Sequence, residues 1–184
     1  MSKERKITTK QLVFAAMAIA LATVIATVVK LPSLPNGGSV TLFSMLVVTL
    51  VGYWYGPMVG IMAATGYGIL QLLTGPYVVH PIQVVLDYPL AFGALGISGF
   101  FANKKQGLLK GYVAGVLGRF FFASLSGVIF YTVYVESFRG NMLAVWAGLV
   151  YNMTYILPEA IITVALISIP AVKQGLGKIK EMAL

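Results

Sequence analysis

The chain has 184 residues, 59% hydrophobic and only 10% charged, with a net charge of +8 and a mean hydropathy of +0.90. A soluble domain carries roughly a quarter charged residues, so these totals exclude one and point to an all-α integral membrane protein. Cysteine is absent, which removes disulfide and thiol chemistry.

The apolar runs are about 18–25 residues long, the length a helix needs to cross a bilayer, whereas barrel strands alternate over about 10. Taken in order, they predict one membrane domain over 1–184, with six helices near 9–29, 39–55, 58–74, 81–101, 111–135 and 142–169. The first is too long for a signal-peptide core and lacks a convincing small-residue cleavage site. It carries Ala18, Ala22 and Ala26 at four-residue spacing, with Ala16 and Ala20 beside them. Small residues at that spacing make a flat face on which helices approach closely in lipid, although alanine is also simply common in membrane helices.

A Pro/Gly-rich loop at 31–38 follows. The second helix ends on Trp54 and Tyr55, as an interfacial belt would. Gly56-Pro57 is a tight turn, and 75–80 is the loop before the fourth helix. Residues 103–110 form a lysine-bearing connector, and the sixth helix stops at Pro170, leaving a basic tail.

Charge sets the orientation. With both termini cytoplasmic, ten of the thirteen basic residues fall inside: Lys3, Arg5, Lys6, Lys10, Lys104, Lys105, Lys110, Lys173, Lys178 and Lys180. Only Lys30 and Arg139 fall outside, and Arg119 lies within the membrane. This is the positive-inside pattern. The surplus charge thus reports topology and contact with the lipid bilayer, and nucleic acid is not needed as a partner.

The stretch His80-Pro-Ile-Gln-Val-Val-Leu-Asp-Tyr-Pro-Leu-Ala-Phe92 organises the rest. A carboxylate such as Asp87 in a membrane-length apolar segment costs about 2.5–3.5 kcal/mol on insertion scales and normally has a partner. No basic residue is expected at its depth, roughly 9 Å from the outer helix end at ~1.5 Å per residue. Tyr77, His80, Gln83 and Tyr88 lie near it in sequence. Tyr131, Tyr134, Trp146, Tyr151, Asn152 and Tyr155 fall at the same outer level, as does the loop at 36–39. Aromatic, amide and carboxylate groups converging there suit a small, flat ligand, a cation included. The plainer alternatives are belt tyrosines, a loop-bonding His80 and a helix-joining Asn152. Arg119 and Glu159 fall nearer the middle or inner half, where a buried ion pair would satisfy both. One histidine, no metal-ligand cluster and no nucleophile–base pair argue against an enzyme. A stand-alone carrier and a ligand-free scaffold are the other readings.

Pro35-Asn-Gly-Gly-Ser-Val40, His80 through Tyr88, Arg119-Phe-Phe-Phe with Ser126-Gly127, and Tyr151-Asn-Met-Thr-Tyr-Ile-Leu-Pro158 together resemble the thiamine-specific S components of energy-coupling factor (ECF) transporters, the ThiT/YuaJ family. The resemblance spans nearly the whole chain. It implies a six-helix vitamin-binding protein of the prokaryotic plasma membrane that binds no cofactor. It also implies partners: a transmembrane T component and two ATPase subunits that use the ATP. Ala16, Ala18, Ala20 and Ala22 would dock the T component. Asp87 matches the acidic ligand residue, Tyr77 and Tyr88 aromatic contacts, Tyr131 a stacking ring and Asn152 an amide contact. Two positions depart: Ala123 stands where a histidine is common and Ala147 where a tyrosine is, with Trp146 adjacent. Those losses leave a thiamine precursor or another flat heterocycle open as the ligand.

Overall fold

The computed structural model describes residues 7–32, 34, 38–134 and 142–184, with the backbone alone at 131–134, 143 and 144. Within these, the chain forms α1 (Thr9–Val28), α2 (Ser44–Tyr55), α3 (Pro57–Thr74), α4 (Pro81–Phe101), α5 (Gly107–Tyr134), α6 (Met142–Ser168) and α7 (Pro170–Ala183). No strand occurs among the described residues; a single antiparallel bridge joins Lys30 to Thr41. The helices α1, α3, α4, α5 and α6 are long and apolar enough to cross a membrane, and α2 is apolar but shorter. Large apolar side chains such as Leu12, Met17, Phe121 and Ile161 stay exposed on the outer surface of the bundle. That arrangement suits lipid, which solvates leucine as well as a protein core does.

Thr8 caps α1 through a capping box: its Oγ1 accepts from the Gln11 N–H at 3.3 Å, and Gln11 Oε1 accepts from the Thr8 N–H at 3.1 Å. The alanines of α1 divide between two faces. Ala15, Ala22 and Ala26 are buried against the bundle, Ala22 at 0% exposure, while Ala16 and Ala20 face outward and Ala18 is intermediate. The expected docking role of Ala22 is therefore corrected: its methyl group is already spent on packing within the chain.

The second helix begins five residues later than expected. Residues 39–43 run back beside the end of α1, held by Leu31 N–H to Val40 O at 3.0 Å and Leu42 N–H to Val29 O at 3.2 Å. Phe43 then takes a left-handed backbone (φ 69°), which a continuous helix cannot contain. Gly56 (φ 94°) turns the chain sharply, and Pro57 opens α3. The α2–α3–α4 contact is so close that a Cβ on Gly60 would lie 2.4 Å from the Gly52 Cα, so only glycine fits.

The fourth helix keeps its expected limits but not a uniform winding. It is α-helical over Pro81–Val85, π-helical over Leu86–Leu90 around Pro89, briefly α again, and 3-10 over Ala94–Phe101. Pro89 has no N–H and crowds the preceding turn, which favours a widened turn there. Its narrow 3-10 half, rich in glycine and alanine, packs against α2, α3 and α5. Ser98 Oγ secures it by donating to Thr49 O at 2.7 Å.

The fifth helix starts one turn before the expected 111. The expected tail is instead the amphipathic helix α7. Val172, Leu176, Lys180 and Ala183 lean on the bundle at three- and four-residue spacing while most of its other residues are exposed. Tyr55 Oη donates to Ala183 O at 3.0 Å and fixes its end.

Candidate functional site

A cavity of about 410 Å³ opens at one end of the bundle, between the N-terminal parts of α4 and α6, the C-terminal parts of α3 and α5, and residues 38–41. That size is within the range of small-molecule sites. Asp87 stands on the π-helical turn, and the widening there alters the phase of α4 relative to a regular helix. Gln83, one helical turn earlier and only 3% exposed, lies on the same wall.

Every polar atom of the Gln83 amide is used. Its Nε2 donates to Asp87 Oδ2 at 2.6 Å and to Tyr77 O at 3.1 Å, and its Oε1 accepts from the Val79 N–H at 3.1 Å. Tyr88 adds a second tie: its Oη accepts from the Tyr77 N–H at 2.9 Å and lies 3.4 Å from Gly75 O. Gln83 and Tyr88 thus fasten the loop before α4 over the cavity and hold Tyr77 in its wall. Sequence proximity pointed to Gln83 but not to this positioning role.

The opposite wall comes from α5 and α6. Asn152 is buried; its Nδ2 donates to Ala123 O at 3.1 Å and Gly148 O at 2.9 Å, and its Oδ1 accepts from Tyr155 Oη. The Tyr155 and Tyr151 rings meet edge to face at 5.7 Å. Tyr151 Oη accepts from the Gly38 N–H at 2.8 Å, which brings the stretch after α1 across the cavity. A Cβ on Gly38 would lie 2.7 Å from that hydroxyl and 2.8 Å from Tyr155, so the approach requires glycine.

The floor holds Phe92, met edge-on by Tyr67 at 5.2 Å, with the Arg119 guanidinium 4.3 Å above its ring. Arg119 shares the cavity with Asp87. Its expected ion pair with Glu159 is corrected, since no Arg119–carboxylate contact within 4.0 Å occurs among the described residues. Glu159, fully buried, instead accepts from Thr41 Oγ1 at 3.0 Å, from the Met45 N–H at 3.1 Å and from Ser44 Oγ at 3.4 Å. The late start of α2 explains the difference. Its free N-terminal N–H groups need an acceptor, and Glu159 is placed to supply one.

Other expected site residues fall differently. Asp87, Tyr77, Tyr88 and Asn152 all line the cavity. His80 is outside the lining and caps α4, its Nδ1 accepting from the Ile82 N–H at 3.2 Å; its ring stacks at 5.3 Å on Phe130, which does line the cavity. Trp146 is also outside, 61% exposed on the bundle's outer surface, so its expected place in the site is corrected. The side chain of Tyr131 lies outside the described residues, as do Asn36 and Gly37. Ala123 is in the wall and Ala147 is not in the lining.

Sequence reasoning missed Gln71, whose Nε2 is buried in the cavity wall without a hydrogen-bond partner among the described residues. An isolated amide between apolar residues carries no sequence signal of that kind. No cluster of metal-ligating side chains occurs among the described residues. The arrangement offers a carboxylate, aromatic faces and a free amide donor, the groups needed to hold a flat heterocyclic cation by charge, stacking and a hydrogen bond.

The family model described as "Thiamine transporter protein (Thia_YuaJ)" matches residues 12–177. The thiamine transporter ThiT of Bacillus subtilis is 35% identical over 144 residues, covering 71% of this chain and 73% of its own length. The ThiT of Lacticaseibacillus paracasei is 25% identical over 120 residues, covering 56% and 58%. A solved structure of ThiT from Listeria monocytogenes superposes with a TM-score of 0.60 over 89% of this chain and 94% of that one; at 21% identity this is a likeness of fold.

Proposed function

We propose, starting from the fact that this chain belongs to the thiamine transporter (Thia_YuaJ) family, that its cavity captures thiamine at the outer face of the membrane. The observation that carries this reading is Asp87. It is the one carboxylate lining the cavity among the described residues, and it is held by Gln83 among aromatic faces. Thiamine carries a permanently charged thiazolium and a flat aminopyrimidine. Asp87 supplies the counter-charge, the rings of Tyr77 and Tyr88 supply stacking faces, and Gln71 supplies a free amide donor, with the Asn152 Oδ1 as a further acceptor. Arg119 balances Asp87 when the cavity is empty, and its stacking on Phe92 keeps it to one side.

The membrane placement follows from charge and length. Six crossings leave both termini cytoplasmic and the cavity outside. The shortest crossing combines α2, twelve residues or about 18 Å, with the non-helical residues 39–41, about 10 Å more, before the turn at 42–43. Non-helical backbone is tolerated at that depth where it lines a cavity, and Ser39 and Thr41 do line it. Delivery inward is the work of an ECF T component and two ATPase subunits. The outward-facing Ala16 and Ala20 of α1, among exposed Leu12, Val13 and Met17, offer the surface for the T component.

The direct test is titration of the detergent-purified chain with thiamine by calorimetry and intrinsic fluorescence. Saturable binding at one site, weakened in Asp87→Asn, supports the reading. A well-folded sample that binds only the pyrimidine precursor would assign the site to that ligand, with Ala123 as the place where selectivity changed.

A further inference from the structure

A second cleft, about 270 Å³, lies at the opposite end of the bundle from the cavity. It is bounded by the end of α2, the turn into α5, the end of α6 and the inner face of α7. Lys104, Lys173 and Lys180 all line it, and no acidic residue does among the described residues. Two of the three are held in place by aromatic faces: Lys180 Nζ lies 4.6 Å above the Tyr53 ring and Lys104 Nζ lies 5.4 Å from the Phe101 ring. The rest of the wall is largely apolar, with Trp54, Leu109 and Leu176 beneath the lysines.

We infer that this cleft binds the phosphate headgroup of an anionic phospholipid, with Lys104, Lys173 and Lys180 around the phosphate and the apolar wall against the glycerol and first acyl methylenes. Charge complementarity gives the sign of the ligand. A basic pocket between membrane helices at a helix end is where such headgroups bind. A free phosphate ester shares the anionic chemistry but leaves the apolar wall uncovered. The amphipathic helix α7, whose inner stripe closes one side of the cleft, lies where a bilayer interface would receive it. The ammonium groups of Lys104 and Lys180 stay positioned by cation–π contact when the cleft is empty, which reduces the ordering cost of binding.

The test uses the full chain in nanodiscs of equal phosphatidylglycerol and phosphatidylcholine, with retained lipid counted by native mass spectrometry. One phosphatidylglycerol is expected to be retained over phosphatidylcholine by roughly tenfold. The combined Lys104→Gln, Lys173→Gln, Lys180→Gln variant should bring the ratio close to one. Lys105→Gln with Lys178→Gln, outside the lining, should leave it unchanged. Melting temperature and gel-filtration profile confirm that each variant is folded, and the single Lys173→Gln replacement, expected to lower the ratio severalfold, serves if the triple variant is not. Equal retention of both lipids, or a preference that survives the lysine replacements, overturns the inference. Inorganic phosphate or glycerol 3-phosphate raising the melting temperature as much as phosphatidylglycerol does would assign the cleft to a soluble anion and also overturn it.

Discussion

At the cavity end of the bundle, one carboxylate and one guanidinium face the same space, and the carboxylate is locked by Gln83 while the guanidinium rests on Phe92. At the cleft end, three ammonium groups share a space with no carboxylate among the described residues. The same helices build both ends. The difference shows that the fold provides openings wherever helix ends diverge, and that the charges placed there decide what each opening can hold. Local contacts matter as much as charge: the acid is fixed by a buried amide, and two of the lysines are fixed by aromatic faces.

The comparison breaks hardest at Asp87. Replacing it with asparagine removes one half of a largely desolvated charge pair, which costs about 2–5 kcal/mol, so thiamine affinity should fall by at least roughly thirtyfold by calorimetry. Phosphatidylglycerol retention at the cleft should not change. Glu159→Ala should come next, read as stability: it orphans the Met45 N–H, at about 1–3 kcal/mol for that buried amide, and leaves the Thr41 and Ser44 hydroxyls only each other. Glu159→Gln keeps an acceptor oxygen and should melt closer to the parent in detergent. Equal losses in the two variants would show that the negative charge itself is required. Gln71→Leu removes the free amide donor, and thiamine affinity should fall up to about tenfold with no loss of melting temperature. An unchanged affinity would remove Gln71 from the site. The smallest effect is expected at Trp146→Ala, because its side chain faces outward. Affinity within about twofold of the parent is expected, in line with surface substitutions generally.

Much of this molecule was legible beforehand. The long crossings follow from composition, since a helix exposed to lipid must be apolar over its whole length. Asp87 was conspicuous because a carboxylate is costly in such a segment. Tyr77 and Tyr88 followed from nearness to Asp87 in sequence, and Asn152 from depth along its helix. Trp146 failed by the same reasoning: depth is a one-dimensional quantity, and the side it faces depends on how α6 is rotated in the bundle. Ala22 and Ala16 differ for that reason too, one sealed inside and the other outside. Glu159 was assigned to Arg119 because opposite charges at similar depth invite pairing. The competing partner, the N-terminus of α2, existed only because Phe43 broke the helix later than the apolar pattern suggested.

The sequence by itself determined a helical membrane protein, the approximate limits of its long helices, the bias of its basic residues toward one side, and a costly acid on α4. Each follows from the transfer of residues between water and hydrocarbon, which depends on local composition. Only the tertiary structure decided the helical phase that separates cavity from lipid, the acceptor role of Glu159, and the docking of the basic tail as α7. Those depend on which backbone donors and which side faces meet across the bundle, and that pairing is between residues more than a hundred positions apart, as with Met45 and Glu159.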